Sequence, residues 1–302
     1  VVRIDPAYIQ LLESGVLAER VKTAYQRLEN CTLCPRACRV NRLAGEKGIC
    51  QTGALAMVSS YGPHFGEEKP LSGWRGSGTI FFTRCNLNCV FCQNYDISQT
   101  SAGEELEPDQ IAELMLRLQS YGCHNINLVS PTHVVPQVLA ATMIAAESGL
   151  HLPIVYNTGG YDSVSTLQLL DGVVDIYMPD MKYANAETAR RYSGIRSYPQ
   201  VNRAAVKEMH RQVGDLLLDE RGIAIRGLLV RHLILPNRLA GSAEVIDFLA
   251  REISTTTYLN LMDQYHPEYL ACRYPELSRR ITPEEYQEVV QLARRAGLYR
   301  LD

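Results

Sequence analysis

Seven of the nine cysteines in this 302-residue chain fall between positions 31 and 92, in two groups. Cysteines placed by packing need would be scattered along strands and helices as small apolar residues. In a reducing compartment, clustered thiols read as metal ligands rather than disulfides. The second group, Cys85-Asn-Leu-Asn-Cys89-Val-Phe-Cys92, sets three thiolates on one short loop. An iron–sulfur cube normally takes four protein ligands, so a local trio with no fourth cysteine nearby leaves one iron with open coordination. An open metal position is where a substrate or cosubstrate binds. The first group, Cys31, Cys34, Cys38 and Cys50, supplies enough thiolates to close a zinc or a second iron–sulfur site. Pro35, Gly45 and Gly48 make the turns such a knuckle requires. A closed site reads as structural or electron-relaying. Cys123 and Cys272 stand apart.

The elements that must hold these groups follow from apolar patterning. Residues 6–29 carry helical spacing interrupted at Gly15 and read as two short helices. An extended stretch lies near 55–61, and 62–76, rich in Gly, Pro and charge, reads as a wrapped loop rather than a core element. From Thr79 onward, β-branched runs at 79–83, 125–130, 153–158, 173–180, 227–235 and 257–263 alternate with helical segments. Those segments lie near 109–121, 136–148, 163–170, 186–212, 242–253 and 283–296. That alternation is the mark of βαβ units and a parallel sheet. The expected fold is α/β, a partial (β/α)6 TIM-like barrel at 77–302 preceded by a small cysteine-rich extension at 1–76. Thr282-Pro283-Glu284-Glu285 carries a capping box for the last helix, and 214–226 looks like a turn-centred insertion. The three-cysteine loop follows the first barrel strand, where parallel α/β proteins place reactive groups.

Composition excludes other classes. With 46% hydrophobic residues and 302 positions the chain buries a full core and is no disulfide-stapled module. Lys+Arg 30 against Asp+Glu 33 leaves a net charge of −3, no global field for nucleic acid or an anionic membrane. No apolar run of about eighteen residues appears, and Val1-Val2-Arg3-Ile4-Asp5-Pro6 lacks a leader core. The expectation is a cytoplasmic protein without nucleic-acid or membrane partners.

The C-x3-C-x2-C spacing, with Phe91 before the third cysteine, resembles the signature of the radical S-adenosylmethionine (SAM) superfamily. The resemblance implies a 4Fe–4S cluster on Cys85, Cys89 and Cys92 whose open iron binds the amino and carboxylate groups of SAM. It implies one-electron cleavage of SAM to methionine and a 5′-deoxyadenosyl radical that takes hydrogen from an unreactive C–H bond, and an electron donor such as flavodoxin or ferredoxin. A structural zinc knuckle competes, but zinc wants a fourth N or S donor, and the nearest histidines are His64 and His124. Further motifs are similar to the pyruvate formate-lyase-activating-enzyme-like branch. Asn94 follows the loop, and Ser130 and Thr132 stand where that branch carries a Gly-Gly-Glu run. Asn157 opens a Thr-Asn-Gly-like turn, and Asp180 and Lys182 resemble its Asp-x-Lys motif. His232 follows Arg231 in an Arg-x-x-x-x-Pro pattern, and His266 completes a Tyr-His pair. By resemblance these eight positions, Asn94, Ser130, Thr132, Asn157, Asp180, Lys182, His232 and His266, contact SAM. Cys-x-Leu-Cys-Pro-Arg-x-Cys, followed by Gly-Glu-x-Gly-x-Cys, resembles the N-terminal element of an activase-like subgroup.

Two outcomes of the radical compete. Activation of a glycyl-radical enzyme needs a wide mouth that admits a protein loop. Epimerisation or dehydrogenation of a sugar or amino-acid derivative needs a closed pocket and sometimes a cysteine hydrogen-atom donor, for which Cys272 is the candidate. A reading from another class is a non-enzymatic iron–sulfur electron carrier, which predicts no SAM cleavage.

Overall fold

In the computed structural model, which describes residues 5–302, the chain opens with two short helices, α1 (Ala7–Glu13) and α2 (Val16–Gln26). The first four residues, part of the stretch read for a leader, lie outside the described residues. Gly15 between the helices takes φ +75°, a left-handed turn that glycine adopts without a Cβ clash. The helices dock through polar ends as well as apolar faces. The Tyr8 hydroxyl donates to the Leu152 carbonyl at 2.9 Å, and the Asp175 carboxylate accepts from the N–H groups of Ala7 and Ile154.

Next come β1 (Ala56–His64), α3 (Lys69–Ser72), β2 (Ser77–Phe82), α4 (Tyr95–Ser98) and β3 (Glu104–Leu106). They lead into α5 (Pro108–Ser120), β4 (Ile126–Val129), α6 (Val135–Glu147), β5 (Ile154–Thr158), α7 (Val164–Leu167) and β6 (Ile176–Pro179). The rest is α8 (Ala186–Ser193), α9 (Tyr198–Val213), β7 (Leu217–Leu218), β8 (Ala224–Leu233), α10 (Ser242–Phe248), β9 (Tyr258–Met262) and α11 (Pro283–Arg295). Strands β2, β4, β5, β6, β8 and β9 pair in parallel in that order. These are the six runs expected from the sequence, and the α/β partial barrel is the observed fold. Every residue of β5 and β6 is buried, one face inward and the other under helices, so the runs are apolar on both faces until β5 ends in Asn157 and Thr158 at the rim. Among the described residues no helix is long and apolar enough to cross a membrane.

Two local readings differ from the structure. The segment 186–212 is two helices, because Gly194 takes φ +68° after Ser193 and ends α8, whose start is capped by the Asn185 side chain. The stretch 62–76 is a surface loop only in part: residues 63–66 and 73–75 are exposed, whereas Glu68 and residues 70–72 are buried. Strand β1 runs to His64 and pairs antiparallel with β2, and β3 pairs on its far side, so the sheet continues past the 76/77 boundary. Pro70, Leu71 and Ser72 of α3 are buried. The Glu68 carboxylate accepts from Asn260 Nδ2 on β9 at 2.9 Å, so this segment bridges the gap between the first and last barrel strands.

The rim is tied where the site will lie. Asn202 Nδ2, on α9, donates to the carbonyls of Gly160 and Asp180 at 3.0 and 2.9 Å, and the Tyr198 hydroxyl reaches Gly159 O and Asp180 O at 2.9 and 3.1 Å. Gly160 sits at φ +76°, and a Cβ there would overlap the Asp180 carbonyl oxygen and Asn202 Nδ2. Gly160→Ala is expected to cost about 1–3 kcal/mol, read as a lowered denaturant midpoint at unchanged slope; an unshifted midpoint would show that the clamp is slack.

Candidate functional site

The three thiols of the second cysteine group sit on the C-terminal rim. Cys85, Cys89 and Cys92 line a cavity of about 460 Å³ together with Asn94, Ser130, Asn157, Asp180 and Lys182. The loop is pinned from several sides. Asn86 Nδ2 donates to Tyr161 O and Val90 N–H to Tyr192 O, both at 2.8 Å, while Phe91 packs edge-on against Tyr183 and Tyr265. Each sulfur has a polar neighbour. Leu87 N–H donates to Cys85 Sγ at 3.3 Å, the Ser193 hydroxyl donates to Cys89 Sγ at 3.0 Å, and the Ser98 hydroxyl lies 3.1 Å from Cys92 Sγ. Burial pushes the Cys85 thiol up to about 12 and raises that of Cys89 against the pull of Lys182. Such thiols ionise when a metal group supplies positive charge, and N–H and O–H donors to sulfur are what tune an iron–sulfur cluster. The donor set fits that group.

Opposite the loop lies a buried charge network. Asp180, just beyond β6, accepts from Lys182 Nζ at 2.6 Å and from Arg231 Nε, on β8, at 2.8 Å; Arg231 Nη2 donates to Asn157 Oδ1 at 2.8 Å. Burial pushes Asp180 up, but Arg231 and Lys182 outweigh it and hold the carboxyl below its ordinary value. The same pairing raises Lys182 and Arg231, so all three stay charged at neutral pH. A fixed ammonium and guanidinium at a cavity wall suit a carboxylate ligand.

The first cysteine group packs directly beneath the loop. Cys31, Cys34, Cys38 and Cys50 line one small cavity with Arg36, Arg42, Asn86 and His133. Arg36 Nε donates to Asn86 O at 3.0 Å, which ties this group to the residue after Cys85. Buried Arg42 donates to Gly53 O through Nε and Nη2 and to His133 O through Nη1. A Cβ on Gly48 would lie 2.8 Å from Cys38 Sγ, so the turn there admits only glycine. Among the described residues no three His, Cys, Asp or Glu side chains crowd about a point that one metal ion could fill. A single zinc, about 2.3 Å from each sulfur, would draw four thiolates to roughly 3.8 Å of one another.

Four positions expected at the site lie off the cavity. Thr132 is buried, its hydroxyl donating to Asp162 at 2.8 Å and lying 3.0 Å from the Thr158 hydroxyl. His232 is buried between Met181 O (2.6 Å from Nδ1) and the Ser242 hydroxyl (2.8 Å from Nε2). His266 is half-buried, with Gln93 Nε2 3.2 Å from Nδ1 and Glu268 on Nε2. Cys272 is exposed and does not line the cavity that the loop thiols share. Conversely Arg231, Glu67, His64 and Gln264 line the cavity. Arg231 stood one residue from the histidine chosen in its motif, and strand alternation would have separated them. Glu67 lies in the segment read as loop and carries no motif.

The family profile described as Radical SAM superfamily matches residues 79–218, the stretch from β2 through β7 that holds the three-cysteine loop. The chain belongs to the radical SAM superfamily. Membership implies a 4Fe–4S cluster, SAM and a source of electrons. Uncharacterized protein MJ0674 of Methanocaldococcus jannaschii is 33% identical over 300 residues, 96% of this chain and 82% of that one. Uncharacterized protein MJ0808 of the same organism is 26% identical over 306 residues, 90% of this chain and 84% of that one. A radical SAM methyltransferase from Sphaerobacter thermophilus superposes with a TM-score of 0.52 at 17% identity, over 74% of this chain and 65% of that one. That likeness bears on the barrel fold alone.

Two buried histidines flank the radical SAM site without lining its cavity. Burial pushes both His133 and His232 down to about 4. In the unfolded chain these imidazoles take up protons below about 6.5, so between 6.5 and 4 the unfolded state binds more protons. Stability is therefore lost as pH falls through that window, on the order of 3 kcal/mol per histidine. Denaturant unfolding of His232→Gln should lose less stability than wild type between pH 6.5 and pH 4.5, by about 2–3 kcal/mol; an undiminished loss would reject neutral burial of His232.

Proposed function

We propose that the chain is an enzyme that holds its cluster on Cys85, Cys89 and Cys92, binds SAM in the 460 Å³ cavity, and abstracts hydrogen from a small-molecule substrate. When bound, the cluster supplies the electron that cleaves SAM to methionine and the 5′-deoxyadenosyl radical. The observation that carries the reading is the shared cavity: three thiols on one wall face the Asp180–Lys182–Arg231 network on another. Lys182 and Arg231 orient the SAM carboxylate, with Asn94, Ser130 and Asn157 on the same walls. Leu87 N–H and the hydroxyls of Ser98 and Ser193 stabilise the sulfurs as thiolates, and Phe91 with Tyr183 and Tyr265 keeps water from behind the loop. The sequence of strand-end motifs supports the activating-enzyme-like branch, but the bridged lateral gap favours a small molecule over a glycyl-radical protein loop. The four-cysteine group takes a second iron–sulfur cluster, a reading supported by four thiols on the wall of one small cavity and by its contact with the loop through Asn86. An electron donor of the flavodoxin or ferredoxin kind serves both.

Anaerobic reconstitution with iron and sulfide, then dithionite and SAM, tests this. Wild-type protein should form 5′-deoxyadenosine, and Cys89→Ala should form none while keeping the iron of the 31–50 site. A wild-type protein holding about four irons at the loop that releases no 5′-deoxyadenosine would make it an electron carrier instead. Zinc retained by Cys89→Ala would reject the second cluster.

A further inference from the structure

Charge does not balance where residues 64–72 bridge the barrel. The side chains of Glu67 and Glu68 are 8% and 4% exposed. Arg231 Nη1 lies 3.8 Å from Glu67 Oε2 and 3.9 Å from Glu68 Oε1, ion-pair distances too long for hydrogen bonds. The other nitrogens of Arg231 are engaged with Asp180 and Asn157, and Lys182 with Asp180. Asn260 satisfies Glu68 Oε1, but Glu68 Oε2 is buried with no N–H or hydroxyl donor, and the Glu67 carboxyl bonds to Glu68 only when the pair holds a proton. Three carboxylates, Glu67, Glu68 and Asp180, thus share two cations in a largely buried site. A buried charge left uncompensated in this way is costly.

Glu67 also stands at a junction. It lines both the thiol-bearing cavity and an adjoining open cleft of about 620 Å³. Four carboxylates on that cleft, Glu67, Glu68, Asp263 and Asp302, outnumber its cations Lys69 and Arg231. The cleft adjoins the cavity at Glu67 and Arg231 and so gives a second molecule a route to a ligand bound beside the thiols.

We propose that Glu67 and Glu68 are the recognition site for an aliphatic ammonium group of the substrate, seated where the cleft opens into the cavity. This rests on reading the cavity as the SAM site. A compact ammonium with three donors supplies the missing charge and a partner for Glu68 Oε2. Without it the pair holds a proton in its place: burial, opposed by Arg231 and reinforced by Glu68 and Asp180, pushes Glu67 up to about 7. The charged and titratable groups around Glu67 are Arg231 from β8, Asp180 and Lys182 beyond β6, Glu68 beside it, His64 at the end of β1, and Lys69, Asp263, Tyr286 and Asp302 on the cleft. Binding of the ammonium expels that proton to solvent.

Calorimetric titration of the reconstituted, SAM-bound protein with 1,4-diaminobutane, against 1,4-butanediol as the neutral isostere, tests the site. The diamine should bind and the diol should not. Glu67→Gln should weaken diamine binding at least tenfold, Glu67→Asp should restore much of it, and Glu113→Gln on the exposed face of α5 should leave it unchanged. Wild-type affinity should tighten about tenfold from pH 6 to pH 8 as the shared proton leaves, a readout independent of whether any variant folds. Equal binding of diol and diamine, no diamine binding, or a flat pH profile would overturn the proposal. Competition between diamine and SAM would overturn it too, by assigning the carboxylates to SAM's own ammonium. Diamine binding by a protein that releases no 5′-deoxyadenosine would sink the enzyme reading and leave the cation site standing.

Discussion

Asp180 follows β6 with its carboxylate largely buried, and it stays ionised because Arg231 and Lys182 close on it from two sides at 2.8 and 2.6 Å. Breaking such a buried pair from one side typically costs about 3–5 kcal/mol, because the partner's charge is stranded. Here the stranding would be double, since both cations depend on one carboxylate. The geometry follows from the same contact. Arg231 also grips Asn157, so one guanidinium joins the ends of β5, β6 and β8, and Met181 N–H donates to Arg231 O across the same rim. His232, one residue on, faces the other way and holds Met181 O from behind. The register of the rim and the charge of the cavity are set together.

The cysteine loop meets that rim through Lys182, whose ammonium acts on both Cys85 and Cys89. On its other side the loop rests on the four-cysteine knuckle. Arg36 reaches Asn86, and Arg42, fully buried, is held by three carbonyl contacts that fix the knuckle against the segment after β4. Two arginines beside four thiols offset the negative charge that a tetrathiolate group would bring. The two cysteine groups are therefore one layered assembly, although 34 positions separate Cys50 from Cys85.

Much of this was legible because it follows from short-range rules. The six apolar runs match the six parallel strands, since strands buried on both faces leave an unbroken apolar signature. Thr282 and Glu285 form the capping box that their spacing called for. The loop cysteines, Asn157, Asp180 and Lys182 stand at strand ends and arrive at one cavity because a parallel barrel gathers its strand ends. What escaped was long-range. The choice of His232 over Arg231 turned on which face of β8 points inward, and a histidine is as hydrogen-bonding a residue as an arginine until that face is known. Thr132 looks like a rim residue by position but turns toward Asp162. Glu67 and Glu68, in a run rich in glycine and charge, look like solvent-facing loop; their burial depends on β9, some 190 residues away.

That last failure has a physical cause in the architecture. Six strands cannot close a barrel that eight would close, so an edge remains open and something must cover it. Residues 67–72 do this with two chemistries. Leu71 enters the barrel interior, packed with Val155, Ile176, Met178 and Leu229, and Asn125 Nδ2 secures its carbonyl at 2.9 Å. That end is sealed by apolar contact. Three residues earlier the same segment turns carboxylates toward Arg231 and the cavity. An apolar residue at Glu67 would have sealed the gap at less electrostatic cost. Retaining two buried carboxylates beside a single shared guanidinium is a penalty that packing does not require; a proton on the pair offsets it, and a cation arriving through the cleft takes that proton's place.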